Sequence, residues 1–451
     1  MVEQTSSQSL LSVTTQPPLA KSLSQLNAYQ SGDLVLALSK ALSNDLISHD
    51  ALSYALSQVG YQLPASVLPR TDAQLEEEIY DYENPTAVKK RFSDFQERDI
   101  SKELAQNIEE QRAYIVSMKD RLTVESAKGE LDKCNMKYLN YNRKQLKECL
   151  FEMFSRLGLI TRFKIDEVHL RHFINDVEKN YKRVPYHNFT HAFNIVHMCY
   201  YLARSTKLRE YLEDIDLLSL MVAALGHDLD HSGMNNIYYQ KIKHPLAMTV
   251  NDSSVLENYH GYMLFKLLSR PDNSILDHLT HSEYVRFRKA AIECIMGTDM
   301  TKHFQICGSF QNVIKKIHEG NFDRAIAEDR DLIMKTVVHA ADISSPAMDF
   351  EDFKAQGFRV TLEFHDQYMS EMAIPDLKAN NPPPAFMKWE SYKSFVQSQI
   401  GFTKTFSSPI LKQLTDALPE SQHMMEQVER NVAQFQKELE ELNMKEEGYS
   451  A

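Results

Sequence analysis

Residues 217–231 read Leu-Leu-Ser-Leu-Met-Val-Ala-Ala-Leu-Gly-His-Asp-Leu-Asp-His, an apolar run that ends in acidic and imidazole side chains. The run from Leu217 to Leu225 is far shorter than the roughly 20 residues needed to cross a bilayer. It therefore predicts a helix buried in a protein core and no membrane span. Ionisable groups at the end of such a helix lie in a low dielectric, where they need a partner or a metal ion. We expect a functional site there.

The composition of the 451 residues favours an all-α globular protein. Glycine accounts for only 13 residues, well below the ~7% usual in globular chains, and β-rich folds depend on glycine in their turns. The formal charge of −12 argues against binding to a nucleic acid polymer but not against a small anionic ligand. Five cysteines without a C-x-x-C pair fit a reducing compartment. We expect a cytoplasmic protein.

The chain divides into three predicted regions. Residues 1–30 are rich in Ser, Gln and Thr, which predicts a flexible tail. Residues 31–130 combine apolar residues at helical spacing with an acidic linker, which predicts a helical region for regulation, docking or homodimer formation. Its apolar stripe from Ile100 to Leu122 fits pairing with another chain as well as folding back on the next domain. Residues 131–445 form the main domain, whose last apolar stripe predicts packing onto that domain.

Two pairs of histidines carry the strongest chemical signal. Five of the 17 histidines lie between residues 187 and 231. His187 and His191 are four residues apart, as are His227 and His231, so each pair is predicted to share one face of a helix. One helical histidine is more often a core residue than a ligand, but two such pairs favour a metal site.

A mixed set of imidazoles and carboxylates suits zinc, manganese, iron or magnesium. Asp228 follows His227 directly, and Asp342 lies just before a Ser-Ser-Pro sequence that is predicted to end a helix. The spacing therefore predicts a metal-dependent hydrolase with His191, His227, Asp228 and Asp342 as ligands.

Six motifs in this chain resemble those of the class I 3′,5′-cyclic nucleotide phosphodiesterase catalytic domain. The resemblance extends over roughly residues 135 to 440. The motifs are YHNFTHA (186–192), ALGHDLDHSGMNN (224–236), NDSSVLEN (251–258), TDMTKH (298–303), HAADISSP (339–346) and SQIGF (398–402).

The resemblance implies an all-helical domain that holds two divalent cations. The tighter ion, usually Zn²⁺, would be bound by the four predicted ligands, and Asp228 would bridge to a second ion, Mg²⁺ or Mn²⁺. His231, Glu257 and Thr298 match positions that hold water around the second ion. His187 matches the general acid, which protonates the leaving 3′ oxygen.

The resemblance also assigns a nucleotide pocket. Gln399 would bond the purine edge and Phe402 would stack on the ring. Ile343, Val360 and Tyr186 match other pocket positions. Met300, Phe364 and Met387 are further pocket candidates, for which ordinary core packing is an equal alternative.

Four positions depart from patterns common in the family: Ser345, Gln356, Gly357 and Tyr259, of which Tyr259 replaces a common histidine. They affect base selectivity and leave the metal ligands intact. We therefore expect hydrolysis of a cyclic nucleotide to its 5′-monophosphate, ending a cyclic nucleotide signal, with a tilt towards cyclic AMP or towards use of both nucleotides. The alternatives are another HD-type phosphohydrolase, or a scaffold or sensor tethered to a larger assembly through the N-terminal region.

Overall fold

A computed structural model of the chain describes residues 122–446. All regular secondary structure in this range is helical, which confirms the all-α prediction. The predicted tail at 1–30, and the predicted N-terminal region as far as residue 121, lie outside the described residues. Ala127 and Leu131 are both fully buried in the main core, so residues on both sides of the predicted boundary at 131 pack together.

Eighteen α-helices follow one another along residues 122–446. They are α1 (Val124–Gly129), α2 (Arg143–Arg156), α3 (Leu159–Phe163), α4 (Glu167–Asn180), α5 (Phe189–Ser205), α6 (Leu208–Tyr211), α7 (Asp214–Gly226), α8 (Asn236–Lys241), α9 (Pro245–Thr249), α10 (Val255–Leu268), α11 (His281–Met296), α12 (His303–His318), α13 (Ala327–Asp342), α14 (Phe350–Met372), α15 (Pro375–Asn380), α16 (Tyr392–Phe402), α17 (Ser408–Ala417) and α18 (Gln422–Glu446).

Seven short turns of other helix types connect them. The 3₁₀ turns are Tyr138–Asn140, Pro271–Asn273, Met300–Lys302, Ser345–Ala347, Ala385–Met387 and Pro419–Ser421, and Thr403–Ser407 is a π-helical turn between α16 and α17.

Helix α7 is the centre of the core. All of its residues from Ile215 to Gly226 are buried, as expected for a helix that is apolar all round. It packs against α5, α10, α11 and α13. At its C-terminal end the side chain of Leu264 on α10 comes so close that a Cβ on Gly226 would lie 2.8 Å from Leu264 Cδ1. The apolar run from Leu217 to Leu225 therefore forms the central helix of the fold.

The other end of α7 is fixed by a buried ionic network. Asp216 is fully buried, and its carboxylate accepts from Arg286 Nε at 2.7 Å and from Arg330 Nε at 2.6 Å. A buried carboxylate needs such partners because burial removes its hydration. The network ties α7 to α11 and α13, which sets the position of the opposite, histidine-bearing end.

The last apolar stripe of the chain packs onto the domain, as predicted. Val428 and Phe435 on α18 are buried in the main core, and Asn431 Nδ2 donates to the carbonyl oxygens of Pro346 and Met348. Between residues 122 and 446, none of the helices has both the length and the hydropathy that a bilayer crossing requires.

Candidate active site

Asn188 starts helix α5 and separates the first histidine pair. Its side chain accepts from the backbone N–H of Thr190 at 2.9 Å and of His191 at 3.3 Å, an N-cap arrangement. His187 therefore precedes the helix, and the prediction that His187 and His191 share a helix face is wrong. The two rings are nevertheless close, with centroids 5.5 Å apart. The cap turns the chain so that His187 can face a different partner.

The second histidine pair is not on one helix either. Helix α7 ends at Gly226, His227 is its C-cap, and Asp230 adopts a left-handed backbone with φ 65°. Asparagine and aspartate tolerate this conformation better than other non-glycine residues. The Asp230 carboxylate accepts a hydrogen bond from Tyr259 Oη at 2.6 Å and forms an ion pair with Lys182 Nζ at 3.1 Å. Asp228 and His231 therefore lie in a turn after the helix. The prediction that His227 and His231 share one helix face is wrong.

The four predicted metal ligands converge. One ligand atom from each of His191, His227, Asp228 and Asp342 lies within 4.8 Å of the other three. His191 Nε2 is 3.0 Å from Asp342 Oδ1, and His227 Nε2 is 3.2 Å from Asp228 Oδ2. Helix α5, the turn after α7, and helix α13 contribute these groups from positions as far as 151 residues apart in the chain.

The donor atoms fit a divalent cation. His227 Nδ1 donates to the Ala224 carbonyl at 2.9 Å, which fixes the orientation of the ring and leaves Nε2 as the ring atom that faces the carboxylates. That Nε2 is buried without a hydrogen-bond partner. Burial favours neutral carboxyl groups, but His227 beside Asp228 and His191 beside Asp342 hold the pKa of both carboxyl groups below its ordinary value. Two carboxylates and two imidazole nitrogens are a suitable ligand set for zinc.

A second group of donors adjoins the first through Asp228. It comprises Asp228, His231 and His260, with ligand atoms within 4.8 Å of one another. His260 Nδ1 donates to the Leu229 carbonyl at 2.7 Å, and its Nε2 is 3.6 Å from Asp228 Oδ1 and has no hydrogen-bond partner. A shared carboxylate between two such groups is the arrangement expected for a pair of cations.

The two other predicted water-holding residues bond their neighbours outside these groups. Glu257 accepts from Asn236 Nδ2 at 3.0 and 3.3 Å, and burial raises the pKa of Glu257 to about 7. Thr298 is buried, and its hydroxyl donates to the Ile295 carbonyl at 2.8 Å. Its oxygen lone pairs therefore remain available as acceptors.

His187 is paired with a buried carboxylate. Its Nδ1 makes a short hydrogen bond to Glu363 Oε1, and Glu363 Oε2 accepts from the backbone N–H of Tyr186 at 2.9 Å and of His187 at 3.1 Å. Burial opposes charge on the imidazole, but the carboxylate outweighs it and raises the pKa of His187 to about 9. The same contact lowers the pKa of Glu363 to about 2 despite burial. The pair is therefore ionised at neutral pH.

The charged imidazole lies against the metal-ligand groups. The His187 ring stacks on His231 with centroids 4.2 Å apart. Burial, reinforced by the charge on His187, lowers the pKa of His231 to about 3, so this second ring is neutral at pH 7. The Tyr186 ring lies 4.7 Å from His191 and 4.9 Å from His187. A proton donor thus lies beside the set of cation ligands.

Sequence reasoning missed Glu363 and His260. Glu363 is 176 residues from its partner and resembles any acid in an amphipathic helix, so no local pattern marks it. His260 had a usable signal because it lies three residues after Glu257 on α10, which places both on one helix face.

Four of the five predicted nucleotide residues lie on or at the end of α13, α14 and α16, and the fifth, Tyr186, precedes α5. Gln399 and Phe402 are on α16; Gln399 is 9% exposed and Phe402 is 40% exposed. Ile343 is the buried C-cap of α13, and Val360 is half-buried on α14. Where α14 meets α16, a Cβ on Gly357 would lie 2.8 Å from Gln399 Oε1.

Of the weaker pocket candidates, Met387 is a buried core residue, and Met300 is 36% exposed. The ring of Phe364 lies edge-on to Phe386, with centroids 6.3 Å apart. The amide of Gln356, one of the departures, donates to Tyr138 Oη.

A sequence model of the family described as 3′5′-cyclic nucleotide phosphodiesterase matches residues 186–428, more than half of the chain. The chain belongs to this family. Among curated phosphodiesterases, regA, a 3′,5′-cyclic-nucleotide phosphodiesterase of Dictyostelium discoideum, is 29% identical over 301 residues, which cover 66% of this chain and 37% of that protein. The high affinity cGMP-specific 3′,5′-cyclic phosphodiesterase 9A of Homo sapiens is 31% identical over 281 residues, covering 62% of this chain and 46% of that protein.

The fold agrees with that of solved phosphodiesterase domains. The phosphodiesterase domain of the rhodopsin phosphodiesterase of Salpingoeca rosetta superposes with a TM-score of 0.67 at 28% sequence identity, covering 73% of this chain and 98% of that domain. The chain spans less than half the length of the two curated phosphodiesterases named above.

Proposed function

We propose that this protein hydrolyses the 3′ ester bond of a 3′,5′-cyclic nucleotide and releases the 5′-monophosphate. The observation that carries the proposal is the His187–Glu363 contact, in which the imidazole also stacks on His231 beside a set of cation ligands. Phosphodiester cleavage needs charge neutralisation at phosphorus and a proton for the leaving oxygen. The cation ligands would provide charge neutralisation through the bound ions, and His187 would provide the proton.

His187 is the proposed general acid. Because its Nδ1 is engaged by Glu363, the proton on Nε2 is the one available to the leaving 3′ oxygen. A pKa of about 9 keeps the ring protonated at neutral pH. Glu363 acts through His187, since it holds the ring in place and stabilises its charge.

The residues proposed to hold the first cation, Zn²⁺, are His191, His227, Asp228 and Asp342. Asp228 would be shared with a second cation, Mg²⁺ or Mn²⁺, around which His231, Glu257 and Thr298 hold water. When bound, the two ions would supply a water of lowered pKa and would neutralise phosphate charge. An acidic chain can bind an anion in this way because the positive charge is local.

We propose that the base pocket accepts both cyclic AMP and cyclic GMP. Gln399 would bond the purine edge and Phe402 would stack on it, with Ile343, Val360 and Tyr186 as further contacts. Among the described residues, none makes a hydrogen bond to the Gln399 side-chain amide. A side-chain amide carries both a donor and an acceptor, so Gln399 can present either one to the edge of a purine. The use of cGMP by some relatives is compatible with this assignment.

We further propose a cytoplasmic enzyme that residues 31–130 tether or dimerise. All five cysteines are free thiols, which is typical of a reducing compartment. The N-terminal assignment rests on the sequence pattern alone. Removal of residues 1–121 should change the oligomeric state or cellular location while turnover persists, measured by analytical ultracentrifugation and imaging.

Purified full chain with Mg²⁺ tests the catalytic proposal. We expect 5′-AMP from cyclic AMP and 5′-GMP from cyclic GMP, resolved by chromatography, and no product from the Asp342→Ala variant. Absence of product from the unmodified chain would refute the activity, and turnover by Asp342→Ala would refute the metal assignment. Unchanged kinetics in Gln399→Ala would instead point to an HD-type phosphohydrolase with another substrate.

A further inference from the structure

Helix α14 presents three buried polar side chains to the site. Glu363, Gln367 and Glu371 recur at a spacing of four residues and are each at most 2% exposed. Residues at this spacing lie on one helix face. Burying a polar group lowers the stability of the fold unless the group is hydrogen-bonded. Each of these side chains is therefore expected to bond a neighbouring group and to fix its position. Glu363 holds His187, whereas the catalytic proposal gives no part to Gln367.

Both ends of the Gln367 amide form hydrogen bonds to Asn235, which lies in the loop that follows His231. Its Oε1 accepts from the backbone N–H of Asn235 at 2.9 Å, and its Nε2 donates to Asn235 Oδ1 at 2.9 Å. The second N–H of the same amide donates to Glu371 Oε1 at 2.7 Å. Glu371 is in turn paired with Lys241 Nζ at 2.7 Å, in an ion pair that is almost wholly buried. The amide therefore has one defined orientation.

The residue that follows Asn235 begins helix α8 and bonds Glu257. Asn236, next to Asn235, donates through Nδ2 to both oxygens of Glu257 and accepts through Oδ1 from the backbone N–H of Leu256 at 2.8 Å. Asn235 itself caps helix α8 by accepting from the Tyr238 N–H at 3.0 Å. A shift of Asn235 and Asn236 would thus move Glu257 relative to Asp228.

We propose that Gln367 is a positioning residue for the second divalent cation, acting through Asn236 on Glu257. The inference rests on the proposed two-cation site and deepens it. Gln367 touches neither substrate nor ligand atoms. Partners bonded directly to a metal ligand typically change metal affinity by about 10- to 100-fold when they are removed, and Gln367 lies further out, so its effect should be at or below the lower end of that range.

The test replaces Gln367 with methionine, which keeps the length of the side chain and removes all three hydrogen bonds. Full chain carrying one equivalent of Zn²⁺ is titrated with Mn²⁺, and free Mn²⁺ is counted by electron paramagnetic resonance. We expect Mn²⁺ affinity to fall by up to about 10-fold in Gln367→Met. Gln367→Met and Asn236→Ala should be non-additive because they act in one chain of contacts.

Gln145→Met is the matched control. Gln145 is also a buried glutamine that accepts from a backbone N–H, that of Asn142 at 2.9 Å, and donates to a backbone carbonyl, that of Leu122 at 2.7 Å. It lies on α2, outside the proposed site. Its variant should lose thermal stability as Gln367→Met does, yet bind Mn²⁺ as the unmodified chain does.

Two results would overturn the inference: wild-type Mn²⁺ affinity in Gln367→Met, or additive effects of Gln367→Met and Asn236→Ala. If Gln367→Met does not fold, the Asn236→Ala variant provides the test. Normal Mn²⁺ affinity in Asn236→Ala would overturn the inference, because Gln367 is proposed to act on Glu257 through Asn236. Turnover of cyclic nucleotides by the unmodified chain is measured in parallel. Its absence would refute the catalytic proposal, whereas the Mn²⁺ titrations report on Gln367 alone.

Discussion

The protonation state of His187 depends on one carboxylate 176 residues away. Glu363 is itself fixed by two backbone N–H groups, so its position relative to the imidazole is set before any ligand binds. Within this pair, attraction between opposite charges exceeds the cost of burial, and both groups stay ionised at neutral pH. A proton donor that would be half-deprotonated near pH 6.5 in water is thereby kept charged.

The first prediction concerns Glu363→Gln. Activity that needs protonated His187 should persist up to about pH 9 and be lost as the pH rises through that value. Removal of the carboxylate returns the pKa of His187 towards or below its ordinary value. The alkaline limb of the kcat profile should therefore move to lower pH, with a loss of about 30-fold at pH 8 if the pKa of His187 returns to its ordinary value near 6.5.

Glu148→Gln is the control for this experiment, since it removes a partly exposed carboxylate paired with Arg171. Its pH profile should be unchanged. An alkaline limb in Glu363→Gln at the same pH as in the unmodified chain would contradict the proposed role of the pair.

At the scale of elements, the ends of helices position the site. Asn188 starts α5 just before His191, α7 ends just before His227, and α13 ends at Asp342. Three rigid helices therefore deliver the proposed ligands, while the intervening turn with Asp230 in the left-handed region supplies the change of direction. The packing of α7 against its neighbours sets where these ends meet.

Gly226→Ala tests the close approach of α7 to α10. A Cβ at this position would lie 2.8 Å from Leu264 Cδ1 in a fully packed region, and overpacking of a core typically costs about 1–3 kcal/mol. We expect the free energy of unfolding, measured by chemical denaturation, to fall by this amount. Gly261→Ala on α10, where no atom lies within 4 Å of the new Cβ, should instead stabilise the helix by roughly 0.5–1 kcal/mol. Equal effects of the two substitutions would disprove the packing argument.

Asp216→Ala tests the ionic network at the other end of α7. The substitution leaves Arg286 and Arg330 buried without their shared carboxylate, and breaking such a buried network typically costs about 3–5 kcal/mol. Asp214→Ala, two residues earlier, removes only an exposed pair with Arg162 and should cost about 1 kcal/mol or less. Calorimetry of the two variants would distinguish them, and a small effect at Asp216 would show that the network is dispensable.

At the scale of the whole molecule, metal binding should stabilise the fold. The four proposed ligands of the first cation come from α5, the turn after α7, and α13, so an ion held by them cross-links distant parts of the chain. A ligand that binds only the folded state adds about 2.7 kcal/mol at a concentration 100 times its Kd.

Removal of metal by a chelator should therefore lower the unfolding temperature, and Zn²⁺ should restore it, as measured by differential scanning calorimetry. The Asp342→Asn variant, which lacks one ligand charge, should respond much less to either treatment. A chelator-insensitive unfolding temperature in the unmodified chain would contradict the cation site.

The sequence by itself determined the helical class, the central position of the apolar run and the identity of the residues that converge near Asp228. These depend on composition, local periodicity and residue chemistry, all of which are readable along the chain. The tertiary structure decided which groups face each other. It separated His187 from His191 at the Asn188 cap, ended α7 before the second histidine pair, and brought Glu363, His260 and Gln367 to the site. Such pairings depend on the packing of helices distant in sequence, because local spacing specifies a helix face but not the element that the face will meet.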